Sequence, residues 1–364
     1  MKLLLFIGPF CPPVTGQTFM TDVIYEKLKN NPVARVVKIN IVRGNTDSKL
    51  LNTCIRLYRI FKCIYNITKY QNIKYKKAYL SVDANAGMYI TFLLSLICRL
   101  FRYEIILHHH SYSHLISRKL PMSMLSKAIK ACSVHINICE IMSKRMKELY
   151  PHVLNTINLS NAIALPKKSS HLTDTYRSNS SFNIGFLGKI CNEKGVHEAI
   201  QVFTNLFEQG EDVHLILAGP VASTEIMNTI NGLSDKYGRD KVDYLGPVYD
   251  LDKENFYNSI DVFLFPTKYL NETQGIVNIE AMSYGVPVVA FGRCCVISDV
   301  GKSGGLVVPV NGNFADKASA YIKEMISSRD VYISRRLGAF EQFSKIKQQS
   351  DVEYDEFTQL VLSR

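Results

Sequence analysis

The chain has 364 residues, 47% of them hydrophobic, which is enough for two separate cores and too many for a disordered chain. Its nine cysteines contain no Cys-x-x-Cys pair, so no zinc ribbon is legible and the thiols read as unpaired, as in a reducing cytosol. The net charge of +11 is unevenly placed, with 23 Lys+Arg against 7 Asp+Glu in residues 1–165 and 20 against 25 thereafter. No RNA- or DNA-binding motif accompanies the basic half, so nucleic acid is not read as a partner.

The first apolar run, residues 3–7, is short and ends in Gly8-Pro9. It reads as a buried strand and not as a signal peptide. Further short runs follow at 36–41, 78–82, 104–107, 134–138 and 156–159, with helical patterns at 21–28, 88–100, 122–131 and 141–149. Such alternation predicts parallel strands joined by crossover helices. The longest later apolar stretch, 88–98, falls well short of the roughly 20 residues of a spanning helix.

Between the second and third strands, Leu50, Leu51, Cys54, Leu57, Phe61 and Ile64 recur at helical spacing, flanked by Lys49, Arg56, Arg59 and Lys62. Lys69, Lys74, Lys76 and Lys77 follow. Such a stripe reads as lying on the core of the first domain, on an anionic membrane surface, or on both.

The fourth run leads into His108-His109-His110. In an extended segment alternate side chains face opposite ways, so only His108 and His110 can share a face, and no metal site is read. Cys139-Glu140, opening a later helix, reads as structural. A polar, serine-rich stretch at 166–181 reads as a linker. A second alternating series runs from 183 to 309, and 331–362 reads as helix. Asp250-Leu251-Asp252 has the spacing of a metal-binding pair, but it stands where a helix begins, so capping is the expected role. Ser-His-Asp, Walker and Gly-x-Gly-x-x-Gly patterns are missing from the sequence.

The most informative stretch is Glu272-Thr273-Gln274-Gly275-Ile276-Val277-Asn278-Ile279-Glu280. A buried strand precedes it, Glu272 falls in the loop after that strand, and Glu280 about two turns into the following helix. Free N–H groups of the loop and first turn, and the positive end of the helix dipole, suit a diphosphate. Carboxylates on either side can accept hydrogen bonds from hydroxyl groups. A sugar nucleotide has that layout of sugar, diphosphate and ribose.

This stretch resembles the E-x7-E signature of retaining GT-B glycosyltransferases of family 4, the glycosyltransferase group 1 family. Gly185-Phe186-Leu187-Gly188-Lys189-Ile190-Cys191-Asn192-Glu193-Lys194-Gly195 is similar to the G-R-x-x-x-x-K-G opening of that family's second domain, with Lys189 replacing arginine. Leu215-Ile216-Leu217-Ala218-Gly219-Pro220 and Val242-Asp243-Tyr244-Leu245-Gly246-Pro247 resemble its next two strands, and the loop from Gly8 to Gln17 its first glycine-bearing loop. The resemblance covers most of the chain, strongly over 182–309 and weakly over 44–78.

The resemblance implies an α/β chain with the GT-B fold, two Rossmann-like domains whose parallel sheets face a central cleft. Residues 1–163, joined by the last helix from about 345 to 364, would bind the acceptor, and 164–344 the nucleotide-sugar donor. Lys189 and Lys194 would grip the diphosphate, aided by backbone N–H groups of Thr273, Gln274, Gly275 and Ile276. Glu280 would take the ribose hydroxyls and Glu272 the transferred sugar. His110 would fall on the family's active-site histidine, with His108 as the other candidate, and Gly16 would let backbone approach donor or acceptor. Gln274, where many members have phenylalanine, bears on which sugar is used. The implied reaction is metal-independent, cofactor-free transfer from a UDP- or GDP-sugar with retention. The basic first half adds a lipid-diphosphate-linked acceptor at the inner face of the plasma membrane, in cytoplasmic, peripherally bound assembly of bacterial surface polysaccharide such as O-antigen, lipopolysaccharide or capsule. A sugar-nucleotide epimerase, a soluble disaccharide synthase and an inactive GT-B binding module are the alternatives.

Overall fold

The computed structural model describes residues 2–44, 46–168 and 181–362. The serine-rich stretch read as a linker lies mostly at 169–180, outside the described residues. The chain divides into two compact units. One runs through Ala164 and includes the residues from Gln349 on, and the other is Leu165–Gln348.

Unit 1 follows the order β1 (Lys2–Gly8), α1 (Gly16–Leu28), β2 (Ala34–Asn40), α2 (Lys49–Lys69), β3 (Lys76–Val82), α3 (Met88–Leu100), β4 (Glu104–His109), α4 (Ser113–Ile116), α5 (Leu120–Ile129), β5 (Ser133–Asn137), α6 (Glu140–Leu149) and β6 (Thr156–Asn158). Its six strands pair in parallel in the order β2-β1-β3-β4-β5-β6. Consecutive residues Leu3 to Ile7 are all buried, as a sheet covered on both faces requires. Because crossovers are right-handed, reversing direction after β2 puts α1 on one face and α2, α3 and α5 on the other. Leu4, Phe6, Tyr79 and Ile106 accordingly share a core with Met20 and Ile24 of α1 and with Phe357 and Val361.

Those last two residues belong to the chain's last helix, Arg329–Leu362. Its final carbonyls, at Leu360 and Leu362, accept from Lys77 Nζ at 2.7 Å and Lys2 Nζ at 2.6 Å. Cations at a helix C-terminus satisfy otherwise unpaired carbonyls and oppose the dipole.

Unit 2 follows β7 (Phe182–Leu187), α7 (Val196–Glu208), β8 (Val213–Ala218), α8 (Thr224–Tyr237), β9 (Val242–Tyr244), α9 (Asp250–Ser259), β10 (Val262–Phe265), α10 (Ile276–Ser283), β11 (Val288–Phe291), α11 (Val296–Val300), β12 (Gly305–Val308), α12 (Phe314–Ser327) and α13 (Arg329–Leu362), whose residues from Gln349 on count in unit 1. The sheet is again parallel, in the order β12-β11-β10-β7-β8-β9. Chain direction across each sheet reverses once, between β1 and β3 in unit 1 and between β7 and β10 in unit 2. In open parallel sheets, ligands bind beyond the strand ends at such points.

Phe357 is 0% exposed and meets Tyr79 edge-on at 6.2 Å. Phe357→Ala should therefore cost about 3–5 kcal/mol of unfolding stability. Urea titration of the two proteins measures it, and a loss under ~1 kcal/mol would contradict the place given to this helix end in the core.

Candidate active site

At the switch point of unit 2, two loops are held together by glycine. After β7 comes a tight turn, Asn192–Lys194, and then Gly195 in the left-handed region at φ +83°. A Cβ on Gly195 would lie 2.1 Å from the carbonyl oxygen of Pro266, so only glycine lets the loops approach this closely. Lys268 N–H donates to the Glu193 carbonyl at 2.7 Å across the same seam. The contact places the Lys194 ammonium directly on the Glu272 carboxylate. The Lys194 nitrogen is also 5.2 Å from the centre of the Tyr269 ring, within cation–π range.

The loop after β10 is fixed from its other side. Arg293 Nε donates to the Thr267 carbonyl and Cys295 N–H to the Thr273 carbonyl, both at 3.1 Å. Gly275, at φ +61°, caps α10, and a Cβ there would meet the Phe265 ring at 2.5 Å. Thr273 and Gln274 are buried, Gln274 completely. The partly exposed portion of the turn is therefore Gly275, Ile276 and Val277, where the helix start is accessible. The Gln274 side chain packs inward.

Glu280 stands in the second turn of α10 with both carboxylate oxygens engaged. Lys253 Nζ is 2.7 Å from each, and the Tyr257 hydroxyl donates to Oε2 at 2.8 Å. Burial holds the Tyr257 phenol protonated, with its pKa well above the usual value. Tyr284 stacks on Tyr257 at 5.3 Å, and the Lys168 ammonium lies over the Tyr284 ring. Lys253 and Tyr257 were not foreseen as site residues. They lie on α9, more than twenty positions before Glu280, and no local pattern announces a contact that the fold makes. The capping role expected for Asp250-Leu251-Asp252 is corrected: α9 does begin there, but Tyr249 is the cap residue, with no side-chain cap bond. The two aspartates sit in the first turn, where they oppose the helix dipole.

The structure thus brings Lys194, Glu272, the 273–276 turn and Glu280 onto two adjoining strand ends. Lys189 lies in the same loop as Lys194 and is exposed.

In unit 1, Gly16 is not a loop residue but the first residue of α1, behind a Thr15–Thr18 capping box. A Cβ at Gly16 would meet nothing within 4 Å, so the space outside the helix start is open. The histidines alternate as an extended strand demands. His108 and His110 share one face, ring centres 4.0 Å apart, while His109 faces the other way and stacks on His135 at 5.2 Å, with His114 at 5.0 Å. The Tyr79 hydroxyl meets His108 Nδ1 at 2.6 Å and His109 Nε2 meets His135 Nδ1 at 3.0 Å. Burial disfavours the imidazolium throughout, bringing His110 and His114 to about 4 and His135 to about 3, with His108 and His109 well below their usual value. At neutral pH His110 is an uncharged hydrogen-bonding group.

The remaining sequence feature, the stripe on α2, faces away from the core. Leu50, Leu51, Leu57 and Phe61 are exposed, as is Cys54, while Ile60, Cys63 and Ile67 face inward. Two of the flanking cations turn in as well: Arg56 pairs with Asp83, and Arg59 donates to the Val42 carbonyl at 2.8 Å. Lys49, Lys62 and Lys69 stay exposed. No helix among the described residues is long and apolar enough to cross a membrane.

The buried histidines give stability a sign with pH. Their folded pKa values lie below the roughly 6.5 of an unfolded chain, so the unfolded state takes up protons first as pH falls. Stability should drop as pH falls below about 6.5, by up to about 1.4 kcal/mol per histidine per pH unit, a loss that ends near pH 4 for His110 and His114 and continues below it for His135. Urea midpoints measured between pH 7.5 and 4 test this; a flat profile would contradict the burial of the cluster.

Comparison with known proteins gives three kinds of match. Residues 175–338 match the family model described as "Glycosyl transferases group 1". Among curated proteins, the Staphylococcus aureus capsular polysaccharide biosynthesis glycosyltransferase CapM is 35% identical over 111 residues, 30% of this chain and 28% of that protein. The 2-deoxystreptamine glucosyltransferase of Streptomyces kanamyceticus is 27% identical over 158 residues, 43% of this chain and 39% of its own. The aligned stretches thus span well under half of these relatives. Among solved structures, Anabaena HepE in complex with UDP superposes with a TM-score of 0.67 at 16% identity, covering 98% of this chain and 100% of that one. The chain has the GT-B fold, and its residues 175–338 match the group 1 glycosyl transferases.

Proposed function

We propose that the protein is a metal-independent, retaining glycosyltransferase of family 4 that moves a sugar from a UDP- or GDP-sugar to a hydroxyl of a glycan acceptor. The observation that carries this is the Lys194–Glu272 pair at the start of α10, within the segment that matches the group 1 model. The chemistry needs positive charge where the diphosphate departs and acceptors around a sugar carbon that becomes cationic. Lys194 and Lys189 supply the first, together with the α10 dipole. Before the donor arrives, Glu272 neutralises Lys194. The diphosphate then takes the ammonium, and Glu272 is released to the sugar hydroxyls. Glu280 accepts from the ribose. His110, uncharged, serves as a hydrogen-bonding group for the transferred sugar. The bond from the sugar carbon to the diphosphate oxygen breaks, the acceptor oxygen bonds to that carbon on the same face, and the acceptor proton passes to the departing phosphate.

Two comparisons support the substrates. HepE was solved with UDP, and CapM is named for capsular polysaccharide biosynthesis. The exposed stripe of α2, with Phe61 68% and Leu50 76% accessible and lysines beside it, supports an acceptor carried on a lipid diphosphate at an anionic membrane surface. In this reading the first unit binds that acceptor, at the inner face of the plasma membrane of a bacterium building surface polysaccharide.

A panel of UDP- and GDP-sugars should raise Tm with one base only, equivalent to about 2.7 kcal/mol at a hundredfold excess over Kd. Lys194→Met and Glu272→Gln should each lower kcat/KM by about 10²–10³. No stabilisation by any sugar of either base would remove the reading. For the membrane part, Leu57→Asp with Phe61→Asp should weaken flotation with phosphatidylglycerol vesicles by about tenfold or more. Turnover of soluble sugar acceptors without vesicle binding would point instead to a soluble synthase.

A further inference from the structure

Glu280 does not stand alone: a second lysine, far from the signature in sequence, fixes its carboxylate. We infer that Lys253 is a positioning residue for nucleotide recognition, acting through Glu280 and not on the ligand itself. This inference rests on the reading of Glu280 as the ribose-binding group.

The geometry is specific. Lys253 Nζ lies 2.7 Å from both oxygens of Glu280, bisecting the carboxylate, while Tyr257 donates to Oε2 at 2.8 Å. Two donors from one helix, four residues apart on α9 and so on one face, define both the position and the tilt of the carboxylate plane. Tyr257 cannot yield, since it is 2% exposed and wedged between Phe256, Phe263 and Tyr284. The Lys253 and Glu280 side chains are 31% and 15% exposed, so the pair sits at the boundary with solvent. The bisecting Lys253 and Tyr257 together fill both lone pairs of Oε2 and one of Oε1, which leaves Oε1 with a lone pair for a ligand hydroxyl. A ribose hydroxyl needs an acceptor aimed at it, so an oriented carboxylate binds it and a freely rotating one does so less well.

Lys253 supplies the ammonium that, with Tyr257, fixes the plane of the Glu280 carboxylate. Lys168 is the other cation in this group, but its nitrogen lies over the Tyr284 ring, with no hydrogen bond to the carboxylate.

The test is a thermodynamic cycle in which the ligand loses the diol and the protein loses the ammonium. Binding of UDP and GDP and of their 2′,3′-dideoxy forms is measured by titration calorimetry on wild type, Lys253→Met, Lys253→Arg and Glu280→Gln. Wild type should prefer the ribose form by about 10- to 100-fold, the scale of hydrogen bonds to a charged acceptor. Lys253→Met should bind the dideoxy form as wild type does while losing most of that preference, and Lys253→Arg should recover it in large part. If Lys253→Met weakens both ligands equally, the lysine touches the phosphate or supports the fold, and the inference is wrong. If Lys253→Met keeps the full preference while Glu280→Gln loses it, the inference fails and the ribose reading stands. If Glu280→Gln also keeps it, or wild type shows no preference, the ribose reading itself falls and takes the inference with it. Lys253 is partly exposed on a helix face, so the methionine variant should fold, which its unfolding midpoint verifies.

Discussion

The candidate site depends on one close approach of backbone, that of Gly195 against the carbonyl of Pro266. No other residue type fits both the space and the left-handed torsion there. Because of it, the loops that leave β7 and β10 are joined at their bases, and Lys194 reaches Glu272. The pair satisfies two partly buried charges that would each be costly alone. It also keeps a cation at the start of α10, where the helix dipole favours an anion. An ammonium whose resting partner is a side-chain carboxylate can exchange that partner for a phosphate with little reorganisation of the loops around it.

The second carboxylate is arranged differently. Glu280 rises from the helix two turns on, and its partners come from α9. One carboxylate is therefore paired within the seam between two loops and the other is fixed by a neighbouring helix. That difference suits different tasks. In the proposed reaction Glu272 would release its partner, whereas Glu280 would stay in place to hold the ribose.

Much of this was legible in the sequence because the signals were local. Runs such as Leu3 to Ile7, short, apolar at every position and closed by a turn, fit strands covered on both faces, and their alternation with helical patterns pointed to the architecture. The glycine-bearing segments 185–195 and 272–280 stood out by their motifs, and the torsions of Gly195 and Gly275 came with the structure. The alternation of His108, His109 and His110 followed from strand geometry. What could not be read was tertiary. α2 carries two apolar stripes, one through Leu50, Leu57 and Phe61 and one through Ile60, Cys63 and Ile67, and periodicity does not say which meets the core. Nothing local sets Lys253 apart, because its contact with Glu280 exists only where α9 lies beside α10. The capping expected of Asp250 failed because Tyr249 took the cap position, leaving the aspartate inside the first turn.

The central claim, that Lys194 changes partner from Glu272 to a diphosphate while Glu280 holds the ribose, is tested most directly by a crystal structure with the preferred nucleoside diphosphate bound. The account predicts Lys194 Nζ within hydrogen-bonding distance of a phosphate oxygen and away from Glu272, with Glu280 on the ribose hydroxyls. A nucleotide bound elsewhere, or bound at α10 with the Lys194–Glu272 pair undisturbed, would contradict it.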